Sequence, residues 1–322
     1  RYINHKYKGR IHILSLEQYL GIQLPRNTRG SVISEATYDW RNDRDRTMEH
    51  AKVSIAENNF SLFLGAGVSM SANLPCWWNL LAGMINRCKQ GIFKEADLDQ
   101  LTKVCCNSSI VMGRFIRMMM ESKSNEEEFY QCLHEALYNG VDSYSSPLIT
   151  EICHLIQFKR QQAQSIITYN FDDVMERALK SCGIGNYSIF GQNQPQQLFP
   201  IYHVHGFVPF ENKENIKSLP VLSEEEYHRV YANSYNWSNV EQIHALSRTT
   251  CLFIGLSMTD PNLRRLLDIA NKDSEADPRH FVFLPCIDSF GKNKAAEVKN
   301  NEAMRIQKEM FEELGLRFSR SI

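Results

Sequence analysis

Ser61-Leu62-Phe63-Leu64 runs straight into Gly65-Ala66-Gly67, and this junction limits the possible folds more than any other feature of the chain. A short, unbroken apolar run that stops at glycine is the mark of a parallel strand buried on both faces. Helices cover such a sheet above and below, so its side chains do not alternate toward water. A helical pattern follows, with Trp77, Leu80, Leu81, Met84, Ile85 and Cys88 forming one apolar stripe at i, i+3, i+4 and i+7 spacing.

The unit recurs. Ser165–Thr168 reads as a strand leading into a helix over 172–181, and Ile201–Val204 reads as the next strand. Thr250–Ile254 is another buried run, stopped by Gly255, and His280–Leu284 precedes a long terminal helix. Ser223 and Glu226 have the spacing of a capping box, and Asp260-Pro261 supplies an N-cap and a first-turn proline. Strands alternating with helices predict an α/β fold, a doubly wound (Rossmann-like) parallel sheet. Between 97 and 158 the periodicity is helical throughout, with segments at 110–121, 126–138 and 147–158. This predicts a helical lobe inserted into the α/β frame. Residues 1–50 read as an N-terminal arm or linker that includes the start of a helix over Arg46–Asn58, and 51–322 as one domain. The chain opens on Arg1 rather than Met, and the expectation is a piece of a larger protein.

Composition narrows the setting. Lys and Arg total 36 against 37 Asp and Glu, a net charge of -1, which disfavours direct binding of nucleic acid. No apolar stretch approaches the roughly 18 residues of a membrane helix, and the polar, basic Arg1–Arg10 is no secretion signal. The nine cysteines are scattered and include no C-x-x-C pair. They predict reduced thiols in a cytoplasm and no zinc ribbon, with Cys105-Cys106 read as helix packing.

Four strand ends carry the candidate chemistry. Gly65, Ala66, Gly67, Val68 and Ser69 suit either a close backbone approach to a phosphate or a tight structural turn. Their pattern is not the dinucleotide fingerprint, since Met70 stands where its third glycine belongs. Asn170 and Asp172 follow the second strand, where doubly wound sheets place ligand groups, although Asp172 also suits a helix N-cap. His203 and His205 are two apart and are expected to share one strand face. His205 beside Gly206 suits acid-base work, and a two-histidine metal site lacks a third ligand at any recognisable spacing. Gly255, Ser257, Asp260 and Asn262 form a strand end and helix start that suit an anion or a ribose, with Asp260 as the cap.

Taken in order, these motifs resemble the sirtuin superfamily. Gly65-Ala-Gly-Val-Ser69 is similar to that family's G-A-G-[IV]-S loop and Thr168-Tyr-Asn-Phe-Asp172 to its T-x-N-x-D segment. His205-Gly206 is similar to its catalytic His-Gly, and Gly255-Leu-Ser257 to its late ribose-binding strand end. The likeness covers roughly 58–318. Leu74-Pro-Cys-Trp77 with Leu80-Leu81, and the run from Gly255 to Arg264, look more like the sirtuin-like NAD hydrolases of bacterial anti-phage systems. The departures agree: the two C-x-x-C pairs of the deacylase zinc module are missing, and Pro75-Cys76-Trp77-Trp78 stands where deacylases carry Pro-Asp-Phe-Arg.

The resemblance implies a reaction in which NAD, as substrate and with no metal, is split into nicotinamide and ADP-ribose. It implies that Asn170 binds the nicotinamide ribose and positions water and that His205 acts as base. The Gly65–Ser69 loop would hold the pyrophosphate, Asp172 would orient ribose or Asn170, and Ser257 and Asn262 would face the adenosine half above Asp260. It also implies an abortive-infection effector kept silent until triggered by a homo-oligomer, an activating partner protein or another domain. Two other readings compete. A deacylase or ADP-ribosyltransferase would form acyl-transfer or ADP-ribosylated products, and a non-catalytic NAD or ADP-ribose module would bind without turnover.

Overall fold

The computed structural model describes residues 39–88, 97–105, 108–121, 126–140, 144–191, 197–211, 220–271, 280–285 and 294–321. The part of the expected arm before residue 39, the polar loop at 212–219 and Cys106 lie outside the described residues.

Helix α1 (Trp40–Glu57) begins at Asp39, whose carboxylate accepts from the Arg41 and Asn42 amides. It starts before the expected Arg46 and runs through position 50, so it overlaps the arm read over 1–50. Strand β1 (Phe60–Leu64) leads into the one-turn helix α2 (Ala66–Met70) and then α3 (Trp77–Cys88). Four helices precede the next strand: α4 (Leu98–Val104), α5 (Ser109–Glu121), α6 (Glu126–Tyr138) and α7 (Pro147–Phe158). These are the helices that the periodicity over 97–158 predicts. The chain continues as β2 (Ala163–Thr168), α8 (Val174–Ser181), β3 (Asn186–Ile189) and β4 (Phe199–His203). Two helices, α9 (Glu224–Ala232) and α10 (Trp237–Arg248), lead to β5 (Thr250–Ile254). It closes with α11 (Pro261–Asn271), β6 (His280–Pro285), α12 (Lys294–Glu312) and β7 (Leu316–Ser321).

The strands form one sheet in the order β3-β4-β2-β1-β5-β6-β7, and every pairing is parallel. This is a doubly wound α/β fold. β1 lies at its centre and all five of its residues are buried, as the unbroken apolar run requires. Its side chains divide between two cores. Leu62 and Leu64 join Ile166, Ile201 and Leu252 on one face, under Met112, Ile116, Leu133 and Ile149 from the inserted helices. Phe63 joins Ile167, Phe253 and Val282 on the other, under Leu246 of α10, Leu263 and Leu267 of α11 and Phe311 of α12. Fully burying each such side chain stabilises the fold by about 1.5–3 kcal/mol. Among the described residues no helix is long and apolar enough to cross a membrane, and no group of three His, Cys, Asp or Glu is placed to hold a metal.

Candidate functional site

From β1 the chain builds one half of the sheet (β2, β3, β4), then crosses to build the other (β5, β6, β7). β1 and β5 are therefore the neighbours from which the two halves diverge, and ligands of doubly wound sheets bind beyond the carboxyl ends of such strands. Gly65 and Gly255 end those two strands and pack backbone on backbone. A Cβ on Gly65 would sit 2.6 Å from the Gly255 carbonyl oxygen, and one on Gly255 would sit 2.6 Å from the Val68 nitrogen. Gly255 also takes φ +68, a left-handed conformation that glycine adopts without a Cβ penalty. The Gly65 amide donates to the Ile254 carbonyl (3.0 Å) and the Gly67 amide to the Gly255 carbonyl (2.8 Å). These amides thus hold the loop to β5, so close that a Cβ on Gly67 would also lie 2.8 Å from Gly255 Cα, and the tight approach gives both loop glycines a structural reason to be there.

The second strand end supplies a hydrogen-bonded chain. Asn170 lies two residues beyond β2, and its backbone amide donates to Thr168 Oγ1 (3.1 Å). Its side-chain Nδ2 donates to the Gly65 carbonyl (2.9 Å) and to Ser69 Oγ (2.8 Å). Ser69 in turn donates to Asp172 Oδ2 (2.7 Å). Asp172 Oδ1 accepts the Val174 amide (3.2 Å), so Asp172 also braces the start of α8. The N-cap position itself belongs to Asp173, which makes no side-chain cap bond. Burial pushes the Asp172 carboxyl up to about 6, against the opposing pull of the Ser69 hydroxyl and the Val174 amide. Asn170 is only half-buried. With both Nδ2 protons committed, its Oδ1 is the acceptor left to meet a ligand.

His205 comes from the turn after β4. Gly206 takes φ +106 there, and a Cβ on it would lie 2.7 Å from Pro220 Cα. The His205 carbonyl accepts the Val221 amide (2.6 Å). The imidazole sits edge-on to Tyr169 at 4.8 Å and to Tyr227 at 6.0 Å between ring centroids. Its Nε2 lies 3.6 Å from Asp260 Oδ2, an electrostatic neighbour beyond hydrogen-bond range. Burial lowers the His205 pKa below its ordinary 6.5, with Asp260 pulling the other way, so at neutral pH the ring is uncharged and able to accept a proton.

His203 and His205 do not share a face. β4 ends at His203, and the turn sends His205 toward Tyr169 while His203 meets Glu176 of α8. The strand period of two does not extend through a turn.

Asp260 caps α11 through the Leu263 amide (2.7 Å), as its position before Pro261 predicts, and it also faces His205. Ser257 is exposed, with Oγ 2.7 Å from Thr259 Oγ1. Asn262 does not join the group. It is 3% exposed, its Nδ2 donates to Asn239 (2.9 Å) and its Oδ1 accepts from Arg265 (2.8 Å). Two neighbours of the site escape sequence reasoning, Tyr169 and Tyr227. Tyr169 is buried and donates to Gln242 Oε1, and the Tyr227 hydroxyl accepts the Asn262 amide (3.2 Å). Tyr169 sits within the Thr168–Asp172 segment, where its period-two partner Ile167 faces the same core. Tyr227 has no sequence signal beyond lying on the capped helix.

Residues 164–308 match the family model of the SIR2-like domain. The chain is 26% identical over 239 residues to NAD(+) hydrolase ThsA of Bacillus cereus (strain MSX-D12), covering 71% of this chain and 44% of that protein. It is also 26% identical over 257 residues to NAD(+) hydrolase ThsA of Acinetobacter baumannii (strain 532279), covering 77% and 45%. The chain thus spans less than half the length of the curated relatives it matches. A solved Sir2 enzyme structure aligns with 84% of this chain and 98% of its own at 13% identity, with a TM-score of 0.37. From β2 into α12, the chain is similar to the SIR2-like domain.

Proposed function

We propose that this chain is an NAD+ glycohydrolase that cleaves the nicotinamide–ribose bond, releasing nicotinamide and ADP-ribose. One observation carries the reading. A half-buried Asn170, fixed through Ser69 to Asp172, and an uncharged His205 stand at the carboxyl ends of neighbouring strands β2 and β4. The names of the relatives, NAD(+) hydrolases, support it.

Nicotinamide departs as a neutral molecule, so positive charge develops on the ribose in an oxocarbenium-like state. Asn170 Oδ1 binds the nicotinamide ribose and holds the attacking water, a positioning effect that can supply several kcal/mol. His205 takes the proton from the ribose hydroxyl or that water, a contribution of about 10²–10⁴-fold in enzymes generally. The Gly65–Ser69 loop lies against the pyrophosphate, using groups other than the Gly65 and Gly67 amides that β5 occupies. Ser257 faces the adenosine half. Asn262 serves that half by fixing the start of α11 and, with it, Asp260.

NAD loss arrests a cell, so the natural setting we propose is a cytoplasmic abortive-infection effector of anti-phage immunity. It stays silent until a homo-oligomer, an activating partner protein or a further domain triggers it. The test is incubation of the purified chain with NAD and, separately, with NAD plus an acyl-lysine peptide, followed by chromatography. Nicotinamide and ADP-ribose without acyl-ADP-ribose support the hydrolase, whereas an acylated product would move the chain to the deacylases.

A further inference from the structure

Beyond the residues assigned to the reaction, an ionisable pair lies against the main chain of Asn170. His203, the last residue of β4, is fully buried. Both of its ring nitrogens have partners that restrict where its protons lie. Nδ1 is 3.1 Å from the backbone carbonyl oxygen of Asn170, a group that can only accept, so Nδ1 carries a proton. Nε2 is 2.6 Å from Glu176 Oε1 on α8, which also accepts from Ser188 Oγ of β3 (2.9 Å). A second proton therefore lies between the imidazole and the carboxylate. Burial drives His203 toward its neutral form, but the Glu176 charge and hydrogen bond, with the Asn170 carbonyl and Asp172, outweigh it and raise its pKa above 6.5. Phe207 closes over the ring at 4.2 Å between centroids.

A buried ion pair is weak evidence for stability by itself, because desolvation offsets most of the attraction. This pair is placed where stability is not the only outcome. Its free end grips the main chain of Asn170, whose side chain is held from the other direction by Gly65 and Ser69.

We propose that His203 and Glu176 are positioning residues that anchor the Asn170 backbone and so set the direction of its amide toward the substrate. This rests on the reading of Asn170 as the group that meets NAD. Tethers on the main chain and the side chain together leave the amide one orientation. Losing the backbone tether lets Asn170 swing, and a misplacement of about 1 Å costs on the order of 100-fold in a positioned reaction.

The test compares E176A, E176Q and H203F with wild type. In E176Q the ring becomes neutral, keeps Nδ1–H on the Asn170 carbonyl and accepts at Nε2 from the new amide, so the anchor persists. In E176A the ring loses its outer hold, and in H203F the bond to Asn170 is lost. Expected are kcat for nicotinamide release down about 10- to 100-fold in E176A and H203F, E176Q within about threefold of wild type, and KM for NAD little changed throughout. Hydrogen exchange at 168–173 should quicken in E176A and H203F and stay slow in E176Q. In wild type, 15N spectra should show the His203 Nδ1 protonated. A bare Nδ1, or exchange in E176A as slow as in wild type, would overturn the anchor even if a variant failed to fold. Equal losses in KM, melting temperature and kcat in all three variants would make the pair structural only. A wild type that releases no nicotinamide under any condition defeats the hydrolase reading, and the exchange and nitrogen measurements still decide the anchor.

Discussion

Replacing Asp172 with Asn isolates the cost of one buried charge. Asp172 is 5% exposed, and burial raises its carboxyl from 3.8 to about 6. Each pKa unit is worth 1.36 kcal/mol, so about two units correspond to about 3 kcal/mol. The folded protein holds this proton to higher pH than the unfolded chain does. Its contribution to stability is therefore fully present below about 3.8 and is lost as the pH rises through about 6. Asparagine has no proton to lose at this position, and its carbonyl can still accept from Ser69. The stability of D172N relative to wild type should therefore improve by about 2.4 kcal/mol between pH 4 and pH 7.5. Urea unfolding of both proteins at half-unit pH steps reads this directly, because groups that titrate alike in the two proteins cancel in the difference. A difference that stays flat across that range would show that Asp172 is not a destabilised charge, and the electrostatics assigned to the Asn170–Ser69–Asp172 chain would fail with it.

Three further predictions follow from the same geometry. Gly255→Ala sets a Cβ 2.6 Å from the Val68 nitrogen at φ +68 and should cost about 2 kcal/mol or more in a thermal or urea melt. Arg117 and Glu226 form a buried pair at 2.5 Å, with the guanidinium 3.6 Å over the Phe129 ring, joining α5 to α9. R117M leaves the Glu226 carboxylate with only the Leu222 and Ser223 amides of its capping box and should lose about 1–3 kcal/mol, with the R117M/E226Q double variant regaining part of the loss. Asp260→Asn removes the charge that opposes burial at His205. The acid limb of kcat/KM for nicotinamide release, expected below 6.5 in wild type, should then move to still lower pH, and an upward movement would contradict the assignment of His205 as base.

The central strands were legible because burial on both faces writes itself as an apolar run: β1, β2, β5 and β6 fall on or within two residues of the expected segments. The edges were not. Asn186–Ile189 buries only Ile189, and Leu-Arg-Phe-Ser-Arg-Ser over 316–321 carries no continuous apolar stretch. Edge strands pair on one side only and are kept polar. The inserted helices α5, α6 and α7 were legible from their period, and the Ser223–Glu226 capping box is formed because its two reciprocal bonds are local. Contacts made across distant segments had no local signature. Nothing near Gly65 in sequence announces that Gly255 packs against it, and nothing near Tyr227 announces His205. His203 was visible as a residue but not as a direction, because the turn after β4 resets the alternation that the sequence suggests.

The most direct test of the proposed activity is nicotinamide release from NAD by wild type, N170A and H205A, each with and without lysate from phage-infected cells. Release by wild type alone, in either condition, is the predicted result, with both variants folded by circular dichroism. Equal release by wild type and the two variants would contradict the assignment of Asn170 and His205, and NAD binding without release in every sample would leave a binding module in place of the hydrolase.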